Sequence, residues 1–307
     1  MTMSPSRLDV AVVGSIGLDT IETPHHRREE ILGGSASFAC AAASFFSRVG
    51  MVGIVGTDFP AACTDLFDHF SIDLKGLQVA EGRTFRWSGV YEANMDNRET
   101  LSTDLNVFAD FLPDVPAEYR GAPFVFLANI SPDLQLHVLD QIESPRFVAA
   151  DTMDLWINVA RDSLQSVIQR VDMLMMNESE ARHYTGVHNL VQAAHQLLED
   201  GPAYVLIKKG EHGSILFSKD EMFVLPAFPL REVTDPTGAG DSFAGGFIGA
   251  LADAGEVTPE TLRTALVCGN ILASFGVEAF SLEKFHLLER LQIDERISAF
   301  KEMTQIP

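Results

Sequence analysis

Residues 233–250, VTDPTGAGDSFAGGFIGA, hold the residue types best suited to chemistry. Asp235-Pro236 opens a turn, Gly238, Ala239 and Gly240 follow, and Asp241 leads into a helix of small residues. Small residues ahead of a helix leave its first amides uncovered and pointing the same way. Those amides and the helix dipole both favour negative charge. Asp241 falls in the same first turn. An anion site beside a carboxylate suits phosphoryl transfer: the amides of Gly238, Ala239 and Gly240 take the charge developing on the phosphoryl group, and Asp241 accepts the proton of the attacking hydroxyl. The string also reads as an ordinary loop with a capping aspartate, so its meaning depends on the elements around it.

Those elements alternate. Residues 8–16 form a short apolar run that reads as a buried first strand, with Asp19 just beyond it at the edge where open α/β sheets place their ligands. A charged stretch with a Pro24-His25-His26 turn reads as an exposed hairpin, and Gly33-Gly34 leads into a small-residue helix. Residues 51–59 read as a strand and 61–72 as a helix. Residues 84–108 alternate apolar and polar types about a Met95-Asp96-Asn97 turn, as paired strands do. From residue 124 onward strands and helices alternate, with strands ending at Asp151, Asn177 and Gly210, a hairpin over 214–225, and helices over 258–276 and from 283. Repeated β-α units predict a mainly parallel sheet covered on both faces, in one domain.

Composition narrows the function. The chain has 307 residues, 46% of them hydrophobic, and a formal net charge of −21. Nucleic acid and anionic membranes require a positive surface, so neither is expected as a partner. Cys40, Cys63 and Cys268 form no CxxC pair and read as buried thiols. No leader peptide and no apolar run of membrane-spanning length is read, so a cytoplasmic protein is expected. The histidines show no metal-ligand spacing, and neither a Walker lysine motif nor a G-x-S-x-G elbow is present.

DPTGAGDSFAGGFIGAL resembles the C-terminal motif of the ribokinase/PfkB family of carbohydrate and nucleoside kinases, and the likeness extends over most of the chain. It implies a ribokinase-like three-layer α/β/α fold with a mainly parallel sheet, in a single domain over 1–307, plus a small β-strand lid formed by about 19–32 and 84–108. It implies ATP and Mg²⁺ as cofactors, with K⁺ in many members. The resemblance assigns substrate hydroxyls to Asp19, and the approach of backbone to the sugar to Gly33 and Gly34. Asn177 and Glu180, in NESE, match the family's N-x-x-E: Asn177 near the nucleotide phosphates and Glu180 holding Mg²⁺ through water. Lys208 and Gly210 match the strand end under the nucleotide, and Asn270 the stretch bordering adenine. Asp235 and Thr237 match a monovalent-cation site, although the loop FGVEAFS departs from the family pattern and brings in Glu278.

The acceptor half departs further. Phe38 replaces a family asparagine, Asn129 stands where many sugar kinases have a glutamate, and Gly17 stands where some ribokinases have an asparagine. Phe38 reads either as a stacking platform for substrate or as core packing. Arg83, Arg86 and Arg98 in the lid would suit a phosphorylated substrate if several faced the site. The resemblance implies an ATP-dependent kinase of a sugar-like alcohol, and a small-molecule sugar or nucleoside as partner. A nucleoside kinase and a catalytically silent binding regulator are the rival readings. A lid sheet can also serve as the surface of a homodimer.

Overall fold

A computed structural model describes residues 8–95 and 98–305. Asp96 and Asn97 of the expected turn lie outside the described residues, as do residues 1–7, on which the absence of a leader was read.

Among the described residues thirteen strands form two sheets. The strands are β1 (Val10–Val13), β2 (Gly17–Glu22), β3 (Arg27–Gly33), β4 (Val49–Gly56), β5 (Asp73–Ala80), β6 (Phe85–Tyr91), β7 (Arg98–Asp104), β8 (Phe124–Leu127), β9 (Phe147–Asp151), β10 (Met173–Asn177), β11 (Tyr204–Lys208), β12 (Ser214–Ser218) and β13 (Met222–Leu225). The large sheet runs β13-β12-β11-β10-β9-β8-β1-β4-β5. It is parallel from β5 through β11, and β12 and β13 close that edge as an antiparallel hairpin. The small sheet runs β3-β2-β6-β7.

Side chains of β1 show why the large sheet is covered on both faces. Val10 and Val12 enter one apolar core, while Ala11 and Val13 enter another. The first core contains α1 (Ser35–Ser44) and later helices. The second lies against α3 (Ala117–Arg120), α4 (Pro132–Leu139) and α6 (Arg161–Ile168), with α2 (Ala61–His69) and α5 (Asp154–Val159) between them in the chain. A third core joins α6 to α7 (Glu178–Thr185) and α8 (Leu190–Glu199). The remaining helices are α9 (Ala239–Ala254), α10 (Pro259–Gly276), α11 (Glu283–His286) and α12 (Arg290–Met303).

The layers match the expectation, one strand went unread, and three local readings need correction. Strand β5 is an edge strand with charges and a glycine in place of an apolar run, so its sequence hides it. The helix expected over 61–72 ends at His69, because Ser71 takes a left-handed conformation (φ 55) that stops it. Asp19 does not end the first core strand. The chain leaves β1 at Val13 and enters the small sheet at Gly17, so Asp19 sits on β2, at a register shift in its pairing with β3. The small sheet covers 17–33 and 85–104, against the expected 19–32 and 84–108.

One packing contact fixes the site. Helices α1 and α9 cross with almost no side chains between them. A Cβ on Gly245 would lie 2.1 Å from the Ala39 carbonyl oxygen, and one on Gly249 would lie 2.7 Å from Ala43 Cα. Small residues on both helices permit this approach, which sets the helix after Gly34 directly beside the helix after Gly238.

Candidate active site

The turn 235–238 delivers α9 with its first amides uncovered. Gly238 caps the helix in a left-handed conformation (φ 75), and a Cβ there would lie 2.4 Å from Cγ of Phe38. Only glycine meets both demands. The three expected amides are not equivalent: Ala239 N–H donates to the Pro236 carbonyl at 3.2 Å, while Gly238 and Gly240 have no acceptor among the described residues. Asp241 follows in the first turn. Burial, then repulsion from Asp151, pushes its carboxyl up to about 7, against the opposing pull of Lys208, Arg98 and its own amide.

Beside this turn, three strand ends converge. Lys208 at the end of β11 reaches across β10 to Asp151 at the end of β9, with Nζ 2.5 Å from Oδ2. Both side chains are largely buried, 15% and 6% exposed. Burial works against the Lys208 charge, but Asp151, Glu180 and Asp241 outweigh it and hold the lysine above its ordinary value. A Cβ on Gly240 would lie 3.2 Å from this ammonium, so Lys208 stands beside Gly240 at the start of α9. Asn177 and Glu180 form a reciprocal cap at the start of α7: Glu180 N–H donates to Asn177 Oδ1 at 2.8 Å, and Asn177 N–H to Glu180 Oε2 at 2.7 Å. Burial and then Asp151 push Glu180 up to about 8. Two buried, mutually repelling carboxylates next to an anion site form a donor set that fits a hard divalent cation.

On the other side, Asp19 is 3% exposed and its carboxylate fills the space where a Cβ of Gly33 would stand. Its Oδ1 has no partner among the described residues, and burial, followed by repulsion from Asp235, pushes the group up to about 8. Gly34 caps α1 with φ 93, and Ser35 Oγ ties this turn to the Asn129 carbonyl at 3.3 Å. Two expected contacts are corrected. Phe38 is 3% exposed and lies in the core under Gly238, so it supports the turn and offers no face to a ligand. Asn270 does not project towards a nucleotide: Nδ2 donates to the Pro226 carbonyl at 3.2 Å and Oδ1 accepts from Phe228 N–H at 3.4 Å, fixing that segment. The Asn129 amide is half-buried and already engaged, accepting from Trp156 Nε1 at 2.8 Å and donating to Met153 Sδ at 3.1 Å. Gly210 opens an exposed single turn, Gly210–His212.

Asp235 is 1% exposed. Oδ1 accepts the Thr237 amide at 2.9 Å, while Oδ2 has no partner among the described residues. Its own amide reaches the Val277 carbonyl at 3.3 Å, which brings the FGVEAFS loop alongside as expected. Glu278 in that loop faces away into an ion cluster, accepting from Arg296 at 2.7 Å and pairing with Lys284 at 2.6 Å. Of the small-sheet arginines, Arg86 is bound by Asp58 (2.8 Å) and Glu30 (3.0 Å). Arg98 is exposed and lies over the Trp87 ring at 5.1 Å, and its charge opposes the upward shifts of Asp19 and Asp241. A groove of about 810 Å³ opens at the opposite end of β11, around Tyr204, Lys219 and Arg263, and none of the residues above lines it.

Residues 8–284 match the pfkB family carbohydrate kinase. The chain belongs to that family. It is an ATP-dependent phosphotransferase acting on the hydroxyl of a sugar or a nucleoside. A cytidine kinase from Thermococcus kodakarensis is 31% identical over 266 residues, covering 84% of this chain and 94% of the relative. Two solved structures share the ribokinase-like fold. The nucleoside kinase of Methanocaldococcus jannaschii has a TM-score of 0.77 at 21% identity, covering 96% of this chain and 100% of that one. An E. coli protein assigned as ribokinase II, in complex with ATP and Mg²⁺, has a TM-score of 0.79 at 18% identity, covering 95% and 99%. Among the described residues no helix is long and apolar enough to cross a membrane.

Sequence reasoning within the pfkB pattern passed over the contacts of Asp151 and Tyr91. Asp151 gave a usable signal, a carboxylate ending a parallel strand. Its pairing with Lys208 depends on the order β9-β10-β11, which no local pattern encodes.

Proposed function

We propose that the chain transfers the γ-phosphoryl group of ATP to a hydroxyl of an unphosphorylated sugar moiety, free or within a nucleoside. One observation carries this reading: the Lys208 ammonium stands beside Gly240, whose amide is uncovered, in the same helical turn as Asp241. The acceptor diol hydrogen-bonds to Asp19, whose unpartnered oxygen needs a donor. Asp241 takes the proton of the attacking hydroxyl, its oxygen bonds to the γ-phosphorus, and the bond to the β-phosphate oxygen breaks to release ADP. The amides of Gly238 and Gly240, together with Lys208, hold the charge that develops. Asn177 and Gly210 border the phosphates and the base. Glu180, through water, and Asp151 would hold Mg²⁺, which neutralises phosphate charge when bound. The unpartnered oxygen of Asp235, with backbone near Thr237 and Val277, fits a K⁺ ion.

The small sheet acts as the lid over the acceptor, excluding water from the transfer. Arg86 is held by Asp58 and Glu30 and Arg98 is exposed, which argues for an acceptor without its own phosphate. The relative named cytidine kinase favours a nucleoside as the second reading. An ATP-consumption screen over free sugars, sugar phosphates and nucleosides, with and without K⁺, tests both. Turnover confined to sugar phosphates, or turnover by Asp241→Asn equal to wild type, would overturn the proposal. No turnover with any acceptor would support the silent regulator. A second copy would dock on β7, which is exposed along its length, and light scattering would show a doubled mass.

A further inference from the structure

One hydrogen bond crosses from the lid to the turn that opens α9. Tyr91, at the end of β6, places its hydroxyl 3.0 Å from Thr237 Oγ1. Its ring is 6% exposed and packs with Ile21 of β2 and Phe280 of the loop after α10, in a small core separate from those of the large sheet. Each of the two hydroxyls can donate to the other, so the pair links lid and turn whichever proton lies between them. Thr237 in turn has its amide on Asp235, and the next residue is the left-handed cap Gly238. A shift of Thr237 therefore moves the Gly238 and Gly240 amides.

We propose that Tyr91 is a positioning residue whose hydroxyl couples the seating of the lid to the alignment of the phosphate-binding amides. When the lid lifts, Thr237 loses its partner and the turn 235–241 slackens. The phosphate site is then fully formed only while the acceptor is enclosed, which suppresses transfer to water. This rests on the reading of those amides as the phosphate site.

Tyr91→Phe removes one oxygen and keeps the ring. Hydrogen–deuterium exchange of the full chain with Mg·ATP and no acceptor should show residues 235–241 exchanging about fivefold faster, together with residues 85–104, as expected for one lost hydrogen bond. Faster exchange in 85–104 with 235–241 unchanged would overturn the proposal. If Tyr91→Phe loses protection throughout, Thr237→Val is measured instead: it must loosen 85–104, and failure to do so overturns the coupling. With cytidine as acceptor, Tyr91→Phe should raise the acceptor KM and the ADP formed per cytidine phosphorylated, with the KM for ATP unchanged. A hydroxyl that only stabilised the fold would leave that ratio at the wild-type value. If wild type does not phosphorylate cytidine, the nucleoside reading fails while the exchange experiment still decides the coupling.

Discussion

The phosphate side of the site and the acceptor side are built from different materials. The phosphate side is backbone at a helix start, backed by the ends of β9, β10 and β11 and held by glycine-to-backbone packing against α1. Its strand ends and helix belong to the main core, and the turn 235–238 is tied to the small sheet through Thr237. The acceptor side is a four-stranded sheet attached by the stretches around Gly17, Gly33 and Thr84, and it carries the buried Asp19 on β2. In the proposed reaction the charge that develops in the transition state falls to the first part, and substrate identity to the second. This division lets one chemistry serve different acceptors.

The comparison predicts a ranking of effects. Asp241→Asn should lower kcat by about 10²–10⁴-fold while leaving the KM for ATP near wild type, because only the proton acceptor is lost. Lys208→Met should cost about 10²–10³-fold in kcat, the range seen on losing one donor to a developing anion. Adding Asp151→Asn should restore part of the stability lost by Lys208→Met, since it removes the unpaired buried carboxylate; a melt that falls further would contradict that pairing.

On the acceptor side, Asp19→Asn should raise the KM of the acceptor about 10- to 100-fold and leave the KM for ATP unchanged, the scale of hydrogen bonds to a charged group. An equal rise in both constants would erase the distinction between the two regions. Asp19 also carries a pH signature. Its folded pKa lies near 8, above the ordinary carboxylate value of 3.8, so the folded state binds the extra proton. The cost of ionising it therefore appears as pH rises from about 4 and is complete above about 8. Asp19→Asn should melt like wild type near pH 4 and above it near pH 8.5. The corresponding kinetic limb belongs to Asp241: log kcat/KM should fall as pH drops below about 7. Smallest of all, Phe38→Leu should cost under about 1.5 kcal/mol of stability and leave the acceptor KM alone, because the ring supports Gly238 from below.

How much of this was legible in the sequence follows the same division. Gly238, Gly240 and Asp241 were legible because a backbone site demands particular residue types in an unbroken string. The mainly parallel sheet with both faces covered was legible from the β-α alternation, but its strand order was not, and β5 was missed because its edge position freed it from an apolar pattern. The Asp151–Lys208 pair spans 57 positions, and Tyr91–Thr237 spans 146. Such pairs are chosen by topology, and their residues carry no local mark. Phe38 misled because an aromatic beside a glycine turn suits a ligand or a core equally well, and only the Gly238 contact separates the two.

The glycine-lined contact between α1 and α9 also bears on how the enzyme is made. Ala39 leaves the ribosome roughly two hundred residues before Gly245, its packing partner. Until then α1, nine of whose ten residues are buried in the finished fold, has nothing to lie against on that side. The nascent chain therefore carries an uncovered alanine-rich helix through most of its synthesis, and non-local closure of this kind is slow. Fragments ending before α9 will expose that surface and aggregate, and the catalytic centre comes into being only as the last quarter of the chain is added.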